Sequence, residues 1–167
     1  MKTKFSAVFL AVLFLLVFFS QGYAQEPKLD LKKIADKITI TVNSADPVAI
    51  TNLYAQDAVM IQPNEAAPVR GHDALLKNYE TIYKAFPDWK VDFSMVICSG
   101  DTIVFEGVGA GTFTGPLATP EGEVAPTGKK ASLKFVMLAK ISPDGLIAED
   151  RTYFDNMEYM KQLGLLK

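Results

Sequence analysis

Residues 103–113 read Ile103-Val104-Phe105-Glu106-Gly107-Val108-Gly109-Ala110-Gly111-Thr112-Phe113, and this stretch decides the fold class. β-Branched and aromatic residues recur without proline, and glycine occupies every second position from 107 to 111, a period of two that belongs to a strand. Gly107, Gly109 and Gly111 share one face, where missing side chains mark a bend or the close approach of a helix or ligand to the backbone. Glu106 lies on the opposite face with Val104, Val108 and Thr112, either as a pocket acid or as an exposed strand charge. The same period governs Trp89–Cys98 before this stretch, and Lys130–Ile141 and Leu146–Phe154 after it. Gly100-Asp101 and Pro143-Asp144-Gly145 supply turns between them. Four strands in antiparallel sequence result.

Upstream the period is helical. Leu29, Leu31, Ile34, Ile38 and Val42 predict an amphipathic helix over 28–43. Asp46-Pro47 gives an N-cap followed by proline at the first helical position, and a short helix is expected to about Ala55 with Ile50, Leu53 and Tyr54 inward. Ala58-Val59-Met60-Ile61 is a short strand, ended by Pro63-Asn64. A third helix over 73–85 buries Leu75, Leu76, Tyr79, Ile82, Tyr83 and Phe86, and Pro87 stops it. A last helical piece covers 156–163 and ends at Gly164. Helices first and strands afterwards make an α+β domain whose curved sheet holds three N-terminal helices on one face.

Residues 1–24 read as a signal peptide. Met1-Lys2-Thr3-Lys4 is a positive start, an apolar run extends from Phe5 to Phe19, and small Gly22 and Ala24 place cleavage before Gln25. The run falls short of the roughly 20 residues that span a bilayer. An exported protein, periplasmic or secreted, with no membrane attachment after cleavage is expected. The rest, 25–167, is the size of one domain. The chain has 17 Lys and Arg against 19 Asp and Glu. No basic run appears, which argues against nucleic acid as a partner. Cys98 is the only cysteine, so no intramolecular disulfide forms, and its apolar strand predicts a buried thiol. His72, the only histidine, sits at a helix start in a capping or surface role. One His and one Cys make no multi-histidine metal centre, and no metal or cofactor is expected. Residues 114–129, with three prolines and three glycines, form either a flap over one end of the sheet or a floppy insertion.

Four pieces in order now carry a resemblance: Gly111-Thr112-Phe113-Thr114-Gly115; Pro126-Thr127-Gly128-Lys129; Asp144-Gly145-Leu146-Ile147-Ala148-Glu149-Asp150-Arg151 with Tyr153-Phe154-Asp155; and Gln162-Leu163-Gly164-Leu165. Together they resemble the SnoaL-like polyketide cyclase (ester cyclase) family, within the superfamily of nuclear transport factor 2 and ketosteroid isomerase. The resemblance implies a cone-shaped, cystatin-like fold, a bent antiparallel sheet around helices with an apolar pocket at the open end. It implies ring closure by intramolecular aldol condensation without metal or cofactor, and often an oligomer. The family's acid/base aspartate falls on Asp155. Arg151 stands where the family has Trp, and Phe113 where it often has His.

Along the last strand, Glu149, Arg151, Tyr153 and Asp155 share one face, and Ala148, Asp150, Thr152 and Phe154 the other. The first face, with the resemblance, is the expected pocket wall; the alternative is that it faces solvent. Asp155 is then the candidate catalytic acid/base, lifted towards neutral pH by burial among Tyr54, Tyr79, Phe86 and Trp89. Glu106, Phe113, Glu149, Arg151 and Tyr153 complete the expected substrate-binding set. The expected ligand is a small apolar or carbonyl-bearing molecule. Arg151 beside Asp155 fits the binding of an anionic ligand equally well, which leaves a non-catalytic carrier or sensor as the alternative. A homodimer through the outer sheet face is a further expectation.

Overall fold

The computed structural model describes residues 29–119 and 122–166; the expected signal peptide lies outside them. Among the described residues four helices, α1 (Leu31–Thr41), α2 (Pro47–Thr51), α3 (His72–Ala85) and α4 (Asn156–Gln162), accompany eight strands. These are β1 (Tyr54–Ile61), β2 (Val69–Arg70), β3 (Lys90–Ser99), β4 (Thr102–Thr112), β5 (Leu117–Thr119), β6 (Gly122–Val124), β7 (Lys130–Ile141) and β8 (Ile147–Phe154). The large sheet runs β2-β1-β8-β7-β4-β3, and β5-β6 is a separate hairpin.

Local chemistry sets the helix starts. Asp30 accepts from Lys33 N at 3.1 Å, and Asp46 accepts from Val48 N at 3.0 Å and Ala49 N at 3.1 Å. Each satisfies amides that a helix start leaves open. The inner face of the sheet buries Ile103, Phe105, Met137, Ala139 and Ile147 against Leu31, Ala35 and Ile38 of α1, Ile50 of α2 and Leu75 of α3. A second cluster, Ala85, Phe86, Phe113, Ala131 and Leu163, closes the other end. The α+β architecture on three N-terminal helices is as expected from the order of periods.

Several details differ. The second helix ends at Thr51, and the strand that follows begins at Tyr54 instead of Ala58, because β1 pairs parallel with β8 from Tyr54↔Ile147 onward. That long-range partner sets the boundary. It also adds a parallel pairing to the antiparallel run β8-β7-β4-β3. Cys98 is exposed, not buried; β3 is an edge strand whose residues from Ser94 to Ser99 are exposed on both faces. His72 does not cap: its Nε2 lies 2.9 Å from the Tyr54 carbonyl oxygen and ties α3 to the start of β1.

On the glycine face the bend is found at Gly107, while the close neighbour of Gly109 and Gly111 is a loop side chain and not a helix or a ligand. Gly107 sits beside a register shift between Phe93 and Met95 in β3, and a Cβ there would meet the Asp92 carbonyl. A Cβ on Gly109 or Gly111 would run into the Trp89 ring. Trp89 therefore lies flush on the sheet where two side chains are missing. The 114–129 segment carries the β5–β6 hairpin and is anchored where Thr114 N and Gly115 N donate to the Ala85 carbonyl, each at 3.1 Å.

Candidate active site

A β-bulge fixes which face of β8 looks inward. Lys140 pairs with Glu149 but Ile141 with Ile147, so Ala148 is passed over and the phase of the strand shifts there. Ile147 and Asp150 consequently both face the core, at 1% and 2% exposure. Thr152 and Phe154 follow on the same side, and Arg151 and Tyr153 are exposed on the other.

Asp150 is a buried carboxylate with local partners. Tyr54 Oη donates to its Oδ2 at 2.8 Å, and Thr152 Oγ1 donates to its Oδ1 at 2.7 Å. Tyr54 Oη also lies 2.7 Å from Tyr79 Oη. With the Tyr54 proton committed to Asp150, Tyr79 is the donor of that second bond. Burial pushes the Asp150 pKa up from the ordinary 3.8 to about 6, although both hydroxyl bonds pull it down. Desolvation penalises the charged form more than two neutral donors restore it. Burial, and then the charge on Asp150, raise Tyr54 and Tyr79 well above the usual phenol value.

Asp150, Tyr79 and Thr152 form part of the wall of a cavity of 220 Å³. Its remaining lining is largely apolar: Ile38 of α1 and Val42 just after it, Ile82 of α3 and Phe86 just after it, Trp89 before β3, Leu133 and Phe135 from β7, and Tyr159 from α4. Leu117 brings the β5–β6 hairpin into the wall. Gln62 is half-buried and Asn64 exposed, which puts the polar rim after β1. The volume lies below the roughly 300–1,000 Å³ of drug-sized pockets, and suits a small ligand.

The expected site residues divide accordingly. Tyr79, Phe86 and Trp89 line the cavity, and Tyr54 reaches it through its hydroxyl bonds. Phe113 lies behind, stacked on Phe86 with centroids 5.3 Å apart. Glu106 and Tyr153 belong to a groove on the outer face of the sheet. Glu149 and Arg151 pair with each other on that face, Nε to Oε1 at 2.6 Å. Asp155 is exposed and caps α4, accepting from Glu158 N at 2.9 Å. The wall of the pocket is thus the face opposite to the one expected, and Asp150 and Thr152 are the residues the sequence reading passed over. One signal was available: Asp150 is the lone charge among Ala148, Thr152 and Phe154, whereas the other face carries several.

Among the described residues no group of three or more His, Cys, Asp and Glu side chains could hold a metal ion. The chemistry at hand is that of one carboxyl group titrating near neutrality among apolar walls, able both to take and to give a proton.

The sequence profile of the SnoaL-like polyketide cyclase family matches residues 33–163. The chain belongs to this family. No curated protein matches it at the sequence level. Solved structures share the fold. A putative SnoaL-like polyketide cyclase from Jannaschia sp. CCS1 is 17% identical with a TM-score of 0.67, covering 81% of this chain and 94% of that one. IdmH, a putative polyketide cyclase from Streptomyces antibioticus, is 24% identical with a TM-score of 0.64, covering 81% and 99%. A hypothetical protein with a ketosteroid isomerase-like fold from Catenulispora acidiphila DSM 44928 is 17% identical with a TM-score of 0.64, covering 78% and 92%. The chain thus has the cone fold that the resemblance implies.

Proposed function

We propose that this domain takes a small, largely apolar, carbonyl-bearing molecule into the cavity and moves protons on it with Asp150. The chemistry is of the aldol cyclase or isomerase type, carried by side chains alone. One observation supports it above the others: the cavity wall holds a buried carboxyl group with a pKa of about 6. A carboxylate in that range can remove a proton from carbon next to a carbonyl and return it as the neutral acid. Family membership supports the reaction class. Export, supported by the charge and apolar pattern of residues 1–24, belongs to the same proposal.

A carrier for anionic ligands finds less support. Arg151 faces away from the cavity and is paired with Glu149, and the charged group that lines the cavity is an acid.

The test is solvent-deuterium exchange at the α-carbon of a panel of small cyclic ketones, followed by NMR. Wild type is expected to speed exchange for at least one ketone, and Asp150→Asn to lose on the order of 100-fold or more of that rate. Exchange at the buffer rate for the whole panel, or full activity in Asp150→Asn, would defeat the proposal.

A further inference from the structure

Asp150 does not stand alone. Its Oδ2 ends a chain of two hydroxyls, Tyr79 to Tyr54 to Asp150, with links of 2.7 and 2.8 Å. Tyr54 is 3% exposed and spends its hydroxyl on this chain, while Tyr79 lies in the cavity wall. Such a chain has two directions. Beside a carboxylate both phenolic protons point towards Asp150, and Tyr79 offers the cavity only lone pairs. Beside a neutral carboxyl both hydroxyls can turn about their C–O bonds, Asp150 donates to Tyr54, Tyr54 to Tyr79, and Tyr79 presents its proton to the cavity.

We propose that Tyr79 is the group that meets the substrate's carbonyl oxygen, and that Tyr54 is a positioning residue relaying protons between Tyr79 and Asp150. This rests on the acid/base reading of Asp150. In the step it implies, Asp150 takes the proton from the carbon next to the carbonyl; that C–H bond breaks, an O–H bond forms on the carboxyl, and the electron pair moves onto the carbonyl oxygen. The chain then reverses, and Tyr79 donates to the enolate oxygen. One proton passed along each link gives the enol and restores the carboxylate. Both tyrosines hold their protons tightly, from burial first and then the Asp150 charge, so they serve as links and not as stores of charge.

The surroundings are quiet. The cross-strand partners of Asp150 are Met60 on β1 and Ala139 on β7. From α3, Tyr83 is the next titratable group, and its hydroxyl is committed to the Val42 carbonyl at 2.7 Å. His72 touches the chain only through the backbone carbonyl of Tyr54.

The experiment follows the ring Cζ signals of isotopically labelled tyrosine and the Asp150 carboxyl signal by NMR between about pH 4.5 and 8, in the full mature domain. Tyr54 and Tyr79 are expected to step with one midpoint, that of Asp150. Tyr54→Phe is expected to leave Tyr79 flat, and His72→Gln to leave the shared step in place. An Asp150 step with a flat Tyr79 in wild type, or a Tyr79 step lost in His72→Gln, overturns the relay and leaves the acid/base reading standing. A carboxyl that does not titrate in this range overturns both. Acetophenone, used as a carbonyl probe at low pH, is expected to shift the Tyr79 signal; no shift up to the solubility of the probe overturns the placement of the oxygen at Tyr79.

Discussion

Tyr54 and Asp150 meet across a parallel strand pairing, hydroxyl to carboxylate at 2.8 Å, although 96 positions separate them in the chain. The bond joins the first residue of β1 to the middle of β8 and holds a charge in the core that the core does not favour.

That charge has a consequence for stability. The Asp150 pKa is higher in the folded state, about 6, than in an unfolded chain, so the folded state binds more protons in between. Stability therefore falls as pH rises from about 4 through 6, by ~3 kcal/mol for a shift of this size. Asp150→Asn, which keeps the volume and cannot ionise, is expected to flatten this dependence and to be the more stable protein at pH 8. Urea unfolding of both proteins at several pH values checks it; parallel profiles would contradict a raised Asp150.

Asp155 and Arg151 provide the converse experiment. Asp155→Ala removes an N-cap and is expected to lower stability by about 1 kcal/mol, with deuterium exchange on any active ketone unchanged. Arg151→Ala is expected to leave exchange unchanged too, because Arg151 faces outward. A large loss of exchange in either variant would return the site to the outer face of β8.

Trp89 and Gly109 share one volume. Gly109→Ala puts a methyl into the Trp89 ring, and such overpacking costs typically 1–3 kcal/mol. A second change, Trp89→Leu, is expected to make the double variant less destabilised than the sum of the singles, as neighbours in contact behave. Additive effects in thermal unfolding would mean that the two do not touch.

Cys98 is exposed on the edge strand. A thiol-specific chromogenic reagent is expected to modify it in the native protein nearly as fast as in denaturant, without loss of secondary structure. Protection that lifts only on unfolding would show that something covers that edge.

The sequence made the fold legible because helical periods dominate before Pro87 and a period of two governs the long strands after it, and the turns between those strands are spelled out by Gly100-Asp101 and Pro143-Asp144-Gly145. Asp46-Pro47 announced a helix start that the Asp46 carboxylate indeed caps. What it concealed were features decided at long range. Whether Tyr54 ends a helix or begins a strand depends on β8, and nothing local distinguishes the two. Period two divided β8 correctly from Glu149 to Phe154 but not which half looks inward, since the bulge at Ala148 is set by how β7 pairs with it. Tyr79, Phe86 and Trp89 were found because large apolar side chains at element ends line whatever space a core encloses. Asp150 was passed over because a buried acid and a surface acid look alike until their neighbours are known. Cys98 misled for the opposite reason, an apolar run that lies on an unpaired edge.

The pairing of β1 with β8 also governs when the protein becomes whole. Strands β3, β4 and β7 can zip together from hairpin-like neighbours, but β1 must wait for the last strand to be synthesised, and contacts so distant in sequence form slowly. Until β8 is made, neither Asp150 nor the strand that pairs with β1 from Tyr54 onward is present. The cavity wall, which takes Gln62 and Asn64 after β1 and Asp150 from β8, is complete only in a chain whose early and late strands have already met.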